Sequence, residues 1–333
     1  MPLTIDQNYL VLCRRVSQRL CSIAEGKDNR SFVNVSEGGC LARNHMEALP
    51  NAGGFRMISI WLVTGASIAG STAAWWLAEH GYDVVVVERS SAFRDGGQNV
   101  DVRGQGRDLL RRMGLEKQAL ASGTGEKGTI WINSRGQTVA RMMTDALEGD
   151  GPTAQMEILR GDLAGLIYGA ARGRADFRFG DSISQIEEDG EAAFVTFTSG
   201  RTEKYDTVLV AEGVGATTRD LVFPAENEPR WMNMTIGYFT IPRTTADEPL
   251  WRWYNATQGR SVTLRPDNHG TIRAALSIQK QPEGEQDWDV AQQKRFLQER
   301  FADAGWEAPR VLAAMQTTDD FYFDVLRQVH MPR

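Results

Sequence analysis

An α/β fold is predicted from the sequence: a Rossmann-like βαβ nucleotide-binding domain interleaved with a mostly antiparallel β-sheet domain for a substrate. Three observations predict it. A β-branched apolar run, Ile58–Thr64, leads through the small, glycine-bearing stretch Gly65–Gly70 into a helical Ala/Trp/Leu segment, Ser71–His80, and a second apolar run follows at Asp83–Glu88. The second half changes character, with short alternating runs separated by turn residues in place of long helices. The length, 333 residues with 41% hydrophobic, suits one large domain or two coupled ones around a sizeable core.

Taken in order, the first helix closes at Gly81, and Leu109–Met113 sits on a helix ended by Gly114. Gly128–Asn133 and Gln137–Met142 form a hairpin around Ser134–Gly136, and Arg160–Arg172 is helical again. Between Phe177 and Val210 short strands alternate with turns at Glu188–Gly190 and Ser199–Gly200, the last strand being Thr207–Val210. Strands continue at Thr235–Ile241, Leu250–Tyr254, Ser261–Leu264 and Thr271–Ile278. A helix over Val290–Ala304 then gathers Phe296, Leu297, Phe301 and Ala304 on one face. The expected organisation is a leader over 1–56, a nucleotide-binding domain in two parts (57–127 and 157–223), a sheet insertion at 128–156 and a substrate sheet over 224–325. Residues 326–333 would begin a further nucleotide-binding segment.

Composition narrows the function. With 37 basic and 43 acidic residues the formal charge is −6, so no basic field draws the chain to nucleic acid. No apolar run approaches the roughly 18 residues of a membrane span, and a soluble, cytoplasmic chain is expected. The cysteines, Cys13, Cys21 and Cys40, all precede Met57, which excludes disulfides and cysteine metal sites from the main body. That first segment lacks the apolar core of a secretory signal, and Asp6, Glu25, Asp28, Glu37 and Glu47 oppose an organelle transit peptide. It reads as a disordered leader or a mispredicted start, with Met57 the natural first residue. His45, His80, His269 and His330 are scattered without ligand spacing, so no metal site is expected.

The first chemical signal is Gly65-Ala66-Ser67-Ile68-Ala69-Gly70. In the dinucleotide fingerprint the first glycine makes a tight turn, the second admits a pyrophosphate and the third lets the helix pack on the strand. Ser67 replaces the middle glycine, and the helix N-terminus still offers free N–H groups and a positive dipole end to phosphate. Glu88 ends the next strand 18 residues after Gly70, where a carboxylate accepts hydrogen bonds from an adenosine ribose. A carboxylate there disfavours a 2′-phosphate, which leaves FAD or NAD(H) for this pocket. The alternative is a glycine-rich turn that only packs a helix on a strand.

Beyond Glu88 the chain resembles a known family. Glu88-Arg89, Arg94, Gly96–Gly104, Arg111–Leu115, Glu157–Leu163, Asp206–Arg219 and Phe321–Asp324 resemble the class A flavoprotein monooxygenases, the para-hydroxybenzoate hydroxylase fold family, in the branch of the tetracycline-inactivating monooxygenases. The resemblance runs from about Met57 to the C-terminus. It implies that Glu88 takes the adenosine ribose of FAD, that Arg89 lies beside the adenine, and that Arg94 is linked to the nicotinamide cofactor. Asp101 and Arg160 match flavin-contacting positions. The residues themselves leave other uses open: Arg160 pairing with Asp162 or Glu157, Asp101 capping a turn, Arg94 as a solvated loop charge. Glu212-Gly213 stands where the family has an Asp-Gly pair serving flavin and pyridine nucleotide together; the extra methylene of Glu212 puts that role in doubt, while Gly213 still allows a sharp turn.

In that family a Gly-Asp pair follows a strand soon after the segment corresponding to His330–Arg333, where this sequence stops, so a truncated chain is expected. The function implied is an FAD-dependent monooxygenase that uses NADPH or NADH and O₂ and hydroxylates a small aromatic or polycyclic substrate through a flavin C4a-hydroperoxide. Trp251, Trp253 and Tyr254 either line an aromatic pocket or belong to the core. Two other readings stand beside this one: an NAD-dependent dehydrogenase, for which no Tyr-x-x-x-Lys is present, and an inactive nucleotide-binding remnant.

Overall fold

The computed structural model describes residues 10–12, 59–144, 153–224 and 229–331. Of the expected leader it describes Leu10–Leu12, strand β1, which pairs antiparallel with Val208–Val210. The remainder of that expectation lies outside the described residues.

The βαβ start forms as read, from β2 (Ile60–Thr64), α1 (Ile68–Glu79) and β3 (Asp83–Glu88). With β8 (Asp176–Phe179) and β12 (Thr207–Val210) these strands build a sheet of order β1-β12-β2-β3-β8, parallel except at β1. Both faces are covered, which is why Val84–Val87 reads as an unbroken apolar run and not as an alternation. Val84 and Val86 meet Val63, Ala66 and Ala74 on one side. On the other, Val85 and Val87 meet Leu62, Val195, Phe197 and Tyr205, contributed in part by the small antiparallel sheet of β9 (Ile183–Glu188), β10 (Ala193–Phe197) and β11 (Thr202–Tyr205).

A third apolar cluster ties Trp75 of α1 to Leu163 and Ile167 of α4 (Arg160–Ala171), and to Leu110 of α2 (Gly104–Arg112) and Ala119 of α3 (Glu116–Ala121). Between these helices runs a two-stranded ribbon, β4 (Asn99–Asp101) against β7 (Glu157–Leu159).

The larger sheet gathers strands from distant parts of the chain. β5 (Gly128–Ile132) and β6 (Thr138–Met143) form the expected hairpin, and β13 (Pro229–Pro242), β14 (Trp251–Asn255), β15 (Arg260–Pro266), β16 (Thr271–Gln279) and β17 (Tyr322–Val329) complete the order β17-β13-β16-β15-β14-β5-β6. Pairing is antiparallel throughout except between β14 and β5, which are parallel. β17 stays paired with β13 as far as Val329, four residues past the boundary expected at 325.

One face of this sheet is closed by α6 (Val290–Phe301) and α7 (Ala308–Thr317). Leu297, Phe301, Val311 and Met315 pack there on Phe239, Val262, Leu264 and Leu276, all fully buried. Asp289 starts α6 with a reciprocal pair of bonds: its carboxylate accepts from Gln292 N at 2.8 Å, and Gln292 Oε1 accepts from Asp289 N at 3.1 Å. Because side chains alternate along a strand, Tyr254 falls on the covered face with Trp306, while Trp251 and Trp253 point to the other. The period of the strand thus divides the three aromatics between the core and the opposite face.

Among the described residues no helix is long and apolar enough to cross a membrane. No group of three or more His, Cys, Asp or Glu side chains is placed among them to hold a metal ion.

Candidate active site

The phosphate-loop residues lie where the parallel strands end. Gly65 has φ +92°, and its N–H donates to Val87 O at 2.8 Å, so the turn after β2 is tied to β3. A Cβ on Gly70 would stand 1.8 Å from Gly65 O, so no side chain fits between helix and turn. Ser71 Oγ donates to Ala66 O at 2.9 Å and locks the same loop. α1 begins with Ile68 and Ala69 after Ser67; no side chain caps it and no acidic residue stands in its first turn. Its leading N–H groups are therefore left for an anion.

Glu88 lies beside this turn with its carboxylate fixed by two backbone donors, Ala66 N and Ser90 N, each at 2.9 Å. Burial opposes its ionisation, but those two bonds, with the Ser90 hydroxyl and the Arg89 charge, together hold the carboxyl below its usual range. An ionised, pre-oriented carboxylate is what a ribose diol requires. The residue after it, Arg89, is exposed.

Arg160 joins the site from the start of α4. Its Nη2 donates to Ser67 Oγ at 2.8 Å, and it pairs with neither Asp162 nor Glu157, which find other partners. Burial, with repulsion from the nearby Arg94, disfavours its charge. The Arg160 guanidinium thus lies within the field of a second one, an arrangement that a phosphate or another anion stabilises.

Two glycines not singled out from the sequence make this possible. A Cβ on Gly161 would fall 1.5 Å from Asp95 O, and one on Gly97 would press on the Arg160 stem at 3.0 Å. The signal was the Arg-Gly pair opening a helix, where glycine is a poor helix former and needs a packing reason.

Two expected residues are engaged elsewhere. Asp101 accepts from Ala154 N at 2.7 Å and lies 3.5 Å from Arg103, so it fastens the 153–156 turn onto β4. The Glu212 carboxylate turns onto the first turn of α5 (Thr217–Val222), accepting from Thr218 N at 3.1 Å and Thr218 Oγ1 at 2.5 Å. The longer side chain closes on its own helix end. Gly213 takes φ +77°, and the preceding residues Ala211 and Glu212 abut Gly65.

On the uncovered face of the large sheet, direct cross-strand partners form a row: Trp131, Trp253, Thr263, Ala275, Tyr238 and Tyr322. Paired residues share a face, so the row has aromatic ends and a low middle. Trp251 and Trp253 have ring centroids 4.8 Å apart, and Tyr238 stacks with Tyr322 at 6.4 Å. Burial and Asp324 push the Tyr322 hydroxyl up, opposed by Arg160 and Arg94. The tyrosine end of the row therefore stands within the field of the two site arginines. The β15–β16 turn closes the seam, with Asn268 Nδ2 donating to Asp162 Oδ2 at 2.8 Å.

Comparison with known proteins gives the family. Residues 60–318 match the model of the FAD binding domain family. The chain belongs to this family. An uncharacterized protein of Mycobacterium tuberculosis (strain ATCC 25618 / H37Rv) is 34% identical over 275 residues, 82% of this chain and 74% of that protein. A flavin-dependent monooxygenase of Legionella longbeachae is 31% identical over 273 residues, 81% of this chain and 69% of the relative.

Among solved structures, the tetracycline destructase Tet(51) is 30% identical with a TM-score of 0.71, over 83% of this chain and 71% of that one. HpxO of Klebsiella pneumoniae, solved with FAD and uric acid, shares the fold at 19% identity and a TM-score of 0.68, over 83% and 69% of the two chains. The chain is an FAD-dependent monooxygenase of the class A kind.

Proposed function

We propose that this monooxygenase draws its electrons from NADPH or NADH and hydroxylates a planar aromatic or polycyclic small molecule seated on the uncovered face of the seven-stranded sheet. The observation that carries this reading is the row from Trp131 to Tyr322. Flat rings flank a floor of Thr263 and Ala275, and one end of the row lies beside Arg94 and Arg160. Trp251 Nε1 is buried without an acceptor, a donor left for a polar atom of a ligand.

In this reading Gly65–Gly70 and the start of α1 hold the pyrophosphate of FAD, Glu88 the ribose, and Arg160 and Ser67 the chain leading to the ring. Bound FAD supplies the redox chemistry that takes electrons from the nicotinamide and activates O₂. The protein's own part would be to seat the substrate and to keep water out, since no side-chain nucleophile is required. Arg94, exposed and without an ion-pair partner among the described residues, suits a phosphate of the arriving nicotinamide cofactor. A need for that cofactor's reduced pool assigns the enzyme to the cytoplasm.

The test is NAD(P)H oxidation by the flavin-loaded protein against planar polycyclic phenols and matched saturated ring systems. Stimulation by the planar set, with an oxygen atom from O₂ in the product, is expected. Equal stimulation by the saturated set would remove the aromatic substrate from the account.

A further inference from the structure

Where the β4–β7 ribbon meets the large sheet, three carboxylates surround one arginine. Arg265 of β15 donates through Nε to Glu126 Oε2 at 2.8 Å and through Nη2 to Glu126 Oε1 at 3.1 Å. The same Nη2 lies 3.2 Å from Glu157 Oε1, close enough for an ion pair but not aligned for a hydrogen bond. The guanidinium carbon sits 4.2 Å from the centroid of Trp251, a cation–π contact on the aromatic face described above. Asp101, the cross-strand partner of Glu157, faces the same cluster and is paired with Arg103. Thr153 adds a hydroxyl that donates to Glu126.

The side chains of Glu126 and Glu157 are 0% and 3% exposed. Both Glu157 oxygens and Asn99 Oδ1 are buried without a donor. Asn99 cannot resolve this by turning its amide over, because Nδ2 already donates to Pro266 O at 3.1 Å and a flip would set oxygen against oxygen. The Asn99 side chain adjoins the Glu157 carboxyl. Two Glu157 oxygens buried without an aligned donor, beside the buried Glu126 carboxylate, are costly unless the acid carries a proton. A proton on Glu157 removes the uncompensated charge and leaves Arg265 free to pair with Glu126. Burial pushes the Glu157 carboxyl up to about 8, against the pull of Arg265 and of the Asn99 side chain and helped by the charges of Glu126 and Asp101.

We propose that Glu157 is a positioning residue for the aromatic face. As a neutral acid it leaves Arg265 paired with Glu126 and lying over Trp251; on releasing its proton to solvent it draws Arg265 off the tryptophan. The proposal rests on the reading of that face as the substrate platform only in its kinetic consequence. The placement of Arg265 stands independently of what the enzyme hydroxylates.

The test is tryptophan emission of the flavin-loaded enzyme from pH 6 to 10, with Trp251→Phe subtracted to isolate the one ring. The Trp251 component should change with a midpoint near 8 in the wild type and stay at its low-pH value throughout in Glu157→Gln, whose amide mimics the neutral acid. KM for an aromatic substrate should rise severalfold over the same range in the wild type with kcat little changed, and remain flat in Glu157→Gln. A wild-type emission that does not titrate, or a Glu157→Gln that titrates as the wild type does, overturns the proposal. If emission titrates while KM does not, the positioning of Arg265 holds and the platform reading fails. Should Glu157→Gln fail to fold, infrared spectra of the wild type decide: a protonated-carboxyl C=O band present at pH 6.5 and lost above pH 9 supports the proposal, and its absence at pH 6.5 overturns it.

Discussion

The two larger sheets of this molecule are used in different ways. The parallel sheet is buried on both faces, so its only open places are the strand ends, and there the turn at Gly65–Gly70, Glu88 and Arg160 converge. The seven-stranded sheet is covered by α6 and α7 on one face alone, and its free face carries the row from Trp131 to Tyr322. A sheet covered on both faces leaves its strand ends for a ligand, whereas a sheet covered once leaves a whole face. On the function proposed above, the cofactor and the substrate fall to separate sheets, and mutations should separate accordingly.

The largest effect is expected at the strand ends. Gly70→Val places a side chain where even a Cβ would be 1.8 Å from Gly65 O, and Gly161→Ala does the same against Asp95 O at 1.5 Å. Each should cost about 4 kcal/mol or more and yield protein without bound flavin, read from the absorbance ratio of flavin to protein. Stoichiometric yellow flavin in either variant would show that the turn and helix are not packed as described.

The two faces of the large sheet give the sharpest contrast. Leu276→Ala, on the covered face, should lower stability by about 2 to 5 kcal/mol in denaturant titrations while the surviving folded enzyme keeps its KM. Trp253→Ala, on the free face, should do the reverse: a smaller loss of stability, with KM raised roughly tenfold, about 1.4 kcal/mol. If both variants changed KM alike, the division of the sheet into a structural and a binding face would collapse.

Smaller effects test single contacts. Glu88→Ala removes the acceptor for a ribose and leaves Ala66 N and Ser90 N unpaired, so FAD affinity should fall by roughly 1 to 3 kcal/mol in fluorescence titration. Glu212→Ala should cost about 1 kcal/mol of stability through the lost cap on α5, with FAD affinity unchanged; a large loss of flavin instead would return Glu212 to the site.

The cofactor half of this arrangement was legible in the sequence because it is local. Glycine spacing, the apolar run Val84–Val87 and the carboxylate at Glu88 all lie within 24 residues, and each reflects a backbone constraint that one residue type meets best. At Glu212 the extra methylene put the family role in doubt from sequence alone, and where its carboxylate goes, onto Thr218, needed the placement of α5. The substrate half was not legible. Its row takes single residues from six strands spread between Trp131 and Tyr322, and only the register between those strands sets them side by side. The same holds for Gly161, whose necessity depends on Asp95 from another segment of chain, and for Glu157, whose burial beside Arg265 and Glu126 appears only once β15 and the 126 region are placed.

The central claim, that flavin and substrate are held by different sheets, is tested most directly by filling the floor of the free face. Ala275→Trp should be purified with one flavin per chain, and equilibrium binding of a planar substrate should weaken at least tenfold against the wild type. Unchanged substrate affinity, or loss of flavin together with substrate, would contradict it.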